Sequence, residues 1–312
     1  MTLRIVPGTA HAPLARAIAG TLGADVAAVE MERFPDGEMR PVVSELRGDD
    51  VYLVQPLAAP AADRLLELLL LIDACRRTGA ARITAVVPYF AYARQDRRTR
   101  PGEPVGVRVV AEMLAAAGAD RLVVIDPHTP TLESLCRIPV ESVTAAGVLA
   151  GAVAEHHRRP RDPVVVAPDL GAAKLAEHFA ARLGGEVAIV RKVRLSAARV
   201  QAAQIVGDVG GRTTLVVDDM ISTGVTIEVA VRALEAVGVP PPYPVLATHA
   251  VLAGNAAQRL AALPIERLIV TDTLPVEALP APFEVCTVGV LLADVIARLH
   301  HDRALDDVLV RG

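Results

Sequence analysis

The sequence predicts an α/β fold of two similar halves, each a mainly parallel sheet flanked by helices. Three observations predict it. Short apolar, β-branched runs recur along the chain, and helical patterns fill most of the gaps between them, which is the alternation of βα units. Those runs are apolar at consecutive positions, as strands covered by helices on both faces require. Third, the chain resembles itself. ADRLVVIDPHT (119–129) leads to IPVESVTAAGVLAGAV (138–153), just as IERLIVTDTLP (265–275) leads to PFEVCTVGVLLADVI (282–296). Each pair has a strand ending at Asp, a loop, adjacent Val and Glu, a Thr and Gly-Val-Leu. A loose self-match of this kind suggests duplication, the alternative being two unrelated βα units that look alike, and the expected division is an N-terminal half, 1–143, and a C-terminal half, 144–312. At 312 residues there is room for two domains of ordinary size with a substantial core.

In order, strands are expected over LRIV (3–6), VYLVQ (51–55), ITAVVP (83–88), LVVID (122–126), VVVAPD (164–169), VAIVRK (187–192), TLVVDD (214–219), VLATHAV (245–251) and LIVTD (268–272). Helices are expected over 13–23, 65–75, 108–118 and 226–238, the last closed by Gly238 and followed by Pro240. The stretch 65–75, LLELLLLIDAC, is too short to span a bilayer and contains Glu67 and Asp73, so it reads as a buried helix. Residues 195–204 carry no clear pattern.

Composition excludes several classes. Hydrophobic residues are 52% and charged residues 22%, the balance of a globular chain. A net charge of −4 argues against a general nucleic-acid binder. Cys75, Cys136 and Cys286 are far apart with no zinc-ligand spacing, as expected of reduced thiols in a cytoplasmic protein. MTLRIVPGTA lacks a charged segment followed by an apolar one, so no signal peptide is expected. Basic charge is almost all arginine; Lys174 and Lys192 are the two lysines. His156, His157, His300 and His301 read as solvated pairs on helix faces.

The stretch VVDDMISTGVTIEVA (216–230) carries the chemistry. An apolar strand leads to Asp218 and Asp219 at the carboxyl edge of a sheet, where open α/β folds bind ligands. Ser222, Thr223, Gly224 and Thr226 then form a turn rich in N–H and hydroxyl donors at a helix start, which suits one phosphate. It is not a Walker A loop, since no Gly-Lys-Ser/Thr follows. Carboxylates beside it suit vicinal hydroxyls or a divalent metal. Together these describe a ligand with a phosphate at one end and hydroxyls at the other, a sugar phosphate. The plainer alternative is that Asp219 or Ser222 caps the helix.

VVDDMISTGVT resembles the phosphoribosyl-pyrophosphate binding motif shared by type I phosphoribosyltransferases and the ribose-phosphate pyrophosphokinase family. Ser222 stands where the kinases commonly have Asp, and Val225 where they commonly have Gly. Further segments resemble the kinases in the same order: RFPDGEMRP (33–41), VVPYFAYARQDRR (86–98), GADRLVVIDPHT (118–129), VVVAPDLGAAKLA (164–176), VRKVR (190–194), VTDTLP (270–275) and the C-terminal GVLLADVIARLHHDRALDDVL. A transferase needs one such domain and a nucleobase pocket, so the ordered set favours the kinase. A non-catalytic synthetase-like subunit is the other alternative, against which Asp218, Asp219, Lys192 and Arg194 are all present.

The resemblance implies two type I phosphoribosyltransferase-like domains and the reaction of Mg-ATP with ribose 5-phosphate. Asp169, Asp218, Asp219, Ser222, Thr223, Gly224 and Thr226 would hold ribose 5-phosphate. Phe34, Asp36, Glu38, Arg94, Gln95 and Asp96 would hold ATP, although Phe34 reads equally as a core residue and Asp96 with Arg97 as a surface ion pair. His128 with Asp169 would ligate Mg2+, where a hydrogen-bonded loop histidine is the plainer reading. Lys192 and Arg194 would open a mobile loop and stabilise the transferring group. A homo-oligomer, a hexamer in this family, with the ATP site built across a subunit interface, is also implied. Neither nucleic acid nor membrane is expected as a partner.

Overall fold

The computed structural model describes residues 1–156, 162–193, 202–276 and 279–310. They form two compact units: one of Met1–Thr144, Thr273–Pro275 and Val288 onward, the other of Ala145–Asp272 and Val276–Thr287.

The first unit is built from β1 (Leu3–Pro7), α1 (Ala12–Leu22), β2 (Asp25–Val26), a hairpin of β3 (Val29–Arg33) and β4 (Met39–Val43), β5 (Asp50–Val54), α2 (Ala61–Arg77), β6 (Arg82–Val87), α3 (Gly106–Ala117), β7 (Arg121–Ile125), α4 (Thr131–Leu135) and β8 (Val140–Val143). Its main sheet has the order β2-β1-β5-β6-β7-β8 and every pairing is parallel. The five residues of β5, DVYLV, are all buried, as a central strand covered on both faces requires. The α2 helix buries Leu65, Leu68, Leu71, Ile72 and Cys75 on one stripe while Leu66 is exposed, so it is amphipathic rather than buried all round. Glu67 lies on the buried stripe, where its carboxylate accepts the Thr9 N–H at 2.6 Å and the Thr9 hydroxyl at 2.7 Å.

The second unit is built from α5 (Ala146–His156), β9 (Pro163–Ala167), α6 (Ala173–Leu183), β10 (Glu186–Val193), β11 (Ala202–Val206), β12 (Thr213–Ile221), α7 (Val225–Ala236), β13 (Tyr243–Ala250), α8 (Ala256–Ala261), β14 (Ile265–Thr271) and β15 (Phe283–Cys286). Its sheet order is β11-β10-β9-β12-β13-β14-β15, parallel except where β11 pairs antiparallel with β10. Part of the segment without a sequence pattern, 202–204, is therefore strand. Consecutive apolar residues serve two cores. Val164, Val166, Val216 and Val245 join Ile227, Val231 and Leu260 on one face. Val165, Leu215, Val217 and Leu246 join Leu149, Ala176 and Phe179 on the other. Each such side chain contributes roughly 1.5–3 kcal/mol of burial.

Without the edge strand β11, both sheets place the second strand of the unit outermost, then the first, third, fourth, fifth and sixth. The sequence repeat is thus a repeat of topology. The last helix departs from the expected division. α9 (Gly289–His300) follows β15 of the second unit but belongs to the first, where it packs on α1 and buries Leu292, Val295, Ile296 and Leu299. His300 is correspondingly not a solvated residue: its Nδ1 lies 2.7 Å from Asp50 Oδ2. Asp50 has no exposed surface and also accepts from Arg82 at 2.7 and 2.6 Å and from the Tyr52 hydroxyl at 3.2 Å. Burial alone would raise the Asp50 carboxyl, but Arg82 and His300 outweigh it and hold it below the usual carboxylate range. Among the described residues Cys75, Cys136 and Cys286 form no disulfide. Among the described residues no helix is long and apolar enough to cross a membrane.

Candidate active site

In the second unit the acids collect at the carboxyl ends of neighbouring strands. β9 and β12 run parallel with Val166 beside Val216, and Asp169, in the bend after β9, lies near enough for its charge to act on Asp218. Asp169 Oδ1 accepts the N–H groups of Gly171 at 2.8 Å and Ala172 at 3.3 Å, which turns the chain into α6. Asp218 is 8% exposed, and its Oδ1 accepts the Asp219 N–H at 2.9 Å. Burial first, then the negative charges of Asp219 and Asp169, push the Asp218 carboxyl well above the usual range. β12 runs on to Ile221, so the acids occupy the end of the strand rather than the turn after it.

The turn itself is held from behind. Ile221 O accepts the Leu252 N–H and Ser222 O accepts the Ala253 N–H, both at 2.9 Å. Gly224 has φ +77°, and a Cβ there would lie 3.1 Å from Leu260 Cγ; both facts call for glycine. α7 begins at Val225 with Gly224 at the N-cap position, so that position is held by neither Asp219 nor Ser222, and first-turn N–H groups of a helix suit an anion. Thr223 and Val225 are exposed, Ser222 and Thr226 half-buried.

In the first unit, Phe34, Asp36 and Glu38 occupy the β3–β4 turn. Phe34 N–H donates to Glu38 O at 2.9 Å and Gly37 N–H to Phe34 O at 2.9 Å, while Asp36 Oδ1 accepts the Glu38 N–H at 3.2 Å. Asp36 and Glu38 are exposed. Phe34 is half-buried with the Arg40 guanidinium 5.0 Å from its ring centre, so it is a hairpin residue and not part of the core. Arg94 and Gln95 are exposed on the loop after β6. Asp96 is already engaged: Arg97 donates twice at 2.9 Å and Thr129 Oγ1 at 2.8 Å. Arg97, with Thr129 adding, pulls its carboxyl down to about 2. The ion pair with Arg97 is the reading the geometry supports for Asp96, and the Thr129 bond ties the loop after β6 to the loop after β7 that carries exposed His128.

His128 belongs to the first unit and Asp169 to the second. Among the described residues no group of three or more His, Cys, Asp or Glu side chains converges on a metal position. Lys192 has its main chain in β10, paired with Ala203; its side chain and all of Arg194 lie outside the described residues.

Residues 3–118 match a family model described as the N-terminal domain of ribose phosphate pyrophosphokinase, and residues 195–310 match the phosphoribosyl synthetase-associated domain. The ribose-phosphate pyrophosphokinase of Wolinella succinogenes is 36% identical over 308 residues, covering 98% of this chain and 99% of that protein. The chain belongs to the ribose-phosphate pyrophosphokinase family. A second relative of that name, from Rhodopirellula baltica, is 40% identical over 310 residues, with 98% of each chain covered. The crystal structure of phosphoribosylpyrophosphate synthetase from Mycobacterium smegmatis aligns at a TM-score of 0.89 and 37% identity, over 97% of this chain and all of that one (100%).

As a member of the ribose-phosphate pyrophosphokinase family, the chain shows what its two departures do locally. Ser222 holds Ala253 through its carbonyl, a bond any side chain allows. Val225 is the first helical residue and points 43% of its surface to solvent. Sequence reasoning missed Thr129, and it missed Leu252–Leu260 as the backing of the turn. Their signal is tertiary: Arg259 and Glu228, for example, form a 2.7 Å pair across 31 residues of sequence.

Proposed function

We propose that this chain transfers the β,γ-diphosphoryl group of Mg-ATP to the anomeric hydroxyl of ribose 5-phosphate, giving phosphoribosyl pyrophosphate and AMP. One observation carries the reading: a glycine-capped helix start at Gly224–Thr226 beside the carboxylates of Asp218 and Asp219. The first suits a phosphate and the second suits ribose hydroxyls, so the pair answers the two ends of one sugar phosphate. The 5-phosphate takes the N–H groups and hydroxyls of Ser222, Thr223, Gly224 and Thr226, and Asp169, Asp218 and Asp219 take the ribose side. Phe34, Asp36, Glu38, Arg94 and Gln95 bind ATP, with Asp96 bracing their loop. Lys192 and Arg194 neutralise charge on the transferring group. The anomeric O–Pβ bond forms as the bond from Pβ to the AMP oxygen breaks; AMP leaves with that electron pair and the hydroxyl proton is released. Catalysis is then positioning and charge stabilisation.

Mg2+ fits the donor set, because the crowded carboxylates that raise Asp218 are hard oxygen ligands short of positive charge. Asp218 with Asp219 would hold it. When bound, Mg2+ supplies neutralisation of phosphate oxygens. A homo-oligomer, a hexamer, in the cytoplasm completes the proposal; light scattering behind gel filtration checks its size.

The test is AMP and phosphoribosyl pyrophosphate formation from Mg-ATP with and without ribose 5-phosphate. Equal amounts of both products, dependent on ribose 5-phosphate, are expected. ADP in place of AMP would mean single phosphoryl transfer and sink the mechanism. No turnover with inorganic phosphate added would turn the reading to a non-catalytic subunit.

A further inference from the structure

Glu228 stands in the first turn of α7, the helix whose start faces the phosphate position. A carboxylate there suits the helix dipole, but it repels a dianion bound at the same end. Arg259 on α8 answers it. Its NH1 donates to Glu228 Oε2 at 2.7 Å, and the two side chains are 33% and 31% exposed, so the pair is partly withdrawn from solvent. The stem of Arg259 also lies against the turn: a Cβ at Gly224 would come within 3.4 Å of Arg259 Cδ. Its Nε is buried and has no hydrogen-bond partner among the described residues. The guanidinium is thus held here by Glu228 and by packing on the turn, without its own donors being filled.

We propose that Arg259 is a positioning residue of the phosphate site, which masks the Glu228 carboxylate and so keeps the start of α7 attractive to a phosphate dianion. This rests on the reading of 222–226 as the 5-phosphate cradle. The charge arrangement is local to α7 and α8 beside Gly224, so the expected effect is on ribose 5-phosphate binding and not on ATP.

The experiment uses the full chain and the AMP and phosphoribosyl pyrophosphate assay above. Turnover by the unmodified chain that depends on ribose 5-phosphate upholds the underlying reading independently of what the variants do. Arg259→Ala is then expected to raise KM for ribose 5-phosphate about tenfold, the change that about 1.4 kcal/mol makes. The kcat and the KM for ATP are expected to stay within about twofold. The deficit shrinks as salt is raised from about 50 to about 500 mM, because an unmasked charge is screened. Adding Glu228→Gln to Arg259→Ala restores KM to within about threefold of the starting value. Glu228→Gln alone leaves that KM unchanged or lower, whereas a merely structural ion pair would suffer from either substitution. An unchanged KM in Arg259→Ala, no recovery in the double variant, or a raised KM in Glu228→Gln overturns the proposal. Should Arg259→Ala fail to fold, Glu228→Gln alone decides it.

Discussion

The two units share one strand order, yet they treat the edge between their first and third strands in opposite ways. In the first unit that edge is stitched shut. Gln55, just past β5, accepts the Ala10 N–H at 3.0 Å, and Gly8 lies so close that a Cβ would fall 2.2 Å from Gln55 Oε1. Glu67 then clamps Thr9 from α2. In the second unit Asp169 follows β9, and Asp218 and Asp219 lie near the end of β12, where the charges of Asp219 and Asp169 act on Asp218. Two buried aspartates repeat the difference, Asp50 standing at the opposite, amino-terminal end of β5. Asp50 is surrounded by donors and held low; Asp218 is surrounded by acids and held high. A shared topology thus carries a hydrogen-bonded joint in one unit and a cluster of acids, the proposed sugar-phosphate site, in the other.

That contrast can be broken in order of effect. Asp50→Ala leaves Arg82 and His300 without their carboxylate, and a loss of about 3–5 kcal/mol is expected, read as a fall in the urea midpoint with kcat per folded molecule retained. Asp218→Asn should do the reverse. It lowers kcat/KM for ribose 5-phosphate about 10–100-fold, as loss of a charged hydrogen-bond partner does, while the urea midpoint rises because like charges are relieved. If both variants lose stability and both keep activity, the contrast between the edges is wrong. Gly224→Ala must hold an Ala at φ +77° against Leu260. About 1–2 kcal/mol of stability should go, with a higher KM for ribose 5-phosphate, whereas Gly8→Ala should cost stability alone.

The smallest effect is in pH dependence. The low Asp50 carboxyl contributes stability that is present above the ordinary carboxylate value, about 4, and is lost as pH falls through its folded value. The high Asp218 carboxyl has the opposite sign: the ligand-free protein gains stability as pH falls through that raised value. Urea midpoints measured from about pH 7 to about pH 5 should therefore rise less in Asp218→Asn than in the unmodified chain.

Much of this was legible in the sequence because it repeats locally. Runs such as VVVA at 164–167 fill two cores at once, and a parallel strand announces itself that way. Asp218, Asp219 and the turn after them lie within one stretch of chain, so their meeting needed no tertiary knowledge. The illegible parts are those settled by distance. His300 reads as a polar helix residue until Asp50, 250 positions away, is placed beside it. Arg259 looks like any helix arginine until Glu228 is opposite. The two-residue β2 is too short to show a period, and β11 is half-exposed and pairs antiparallel at an edge. The amphipathic stripe of α9 says that a sheet covers it but not which one.

That last feature bears on how the protein is made. A chain leaving the ribosome presents Met1–Thr144 long before Gly289–His300 exists, so the α1 surface that α9 covers stays bare through most of synthesis. Meanwhile α5, encoded directly after β8, is available to the second unit from the outset. The unit translated first is thus the one finished last. A chain stopped just before α9 would keep the sequence of both sheets and still leave the α1 face bare.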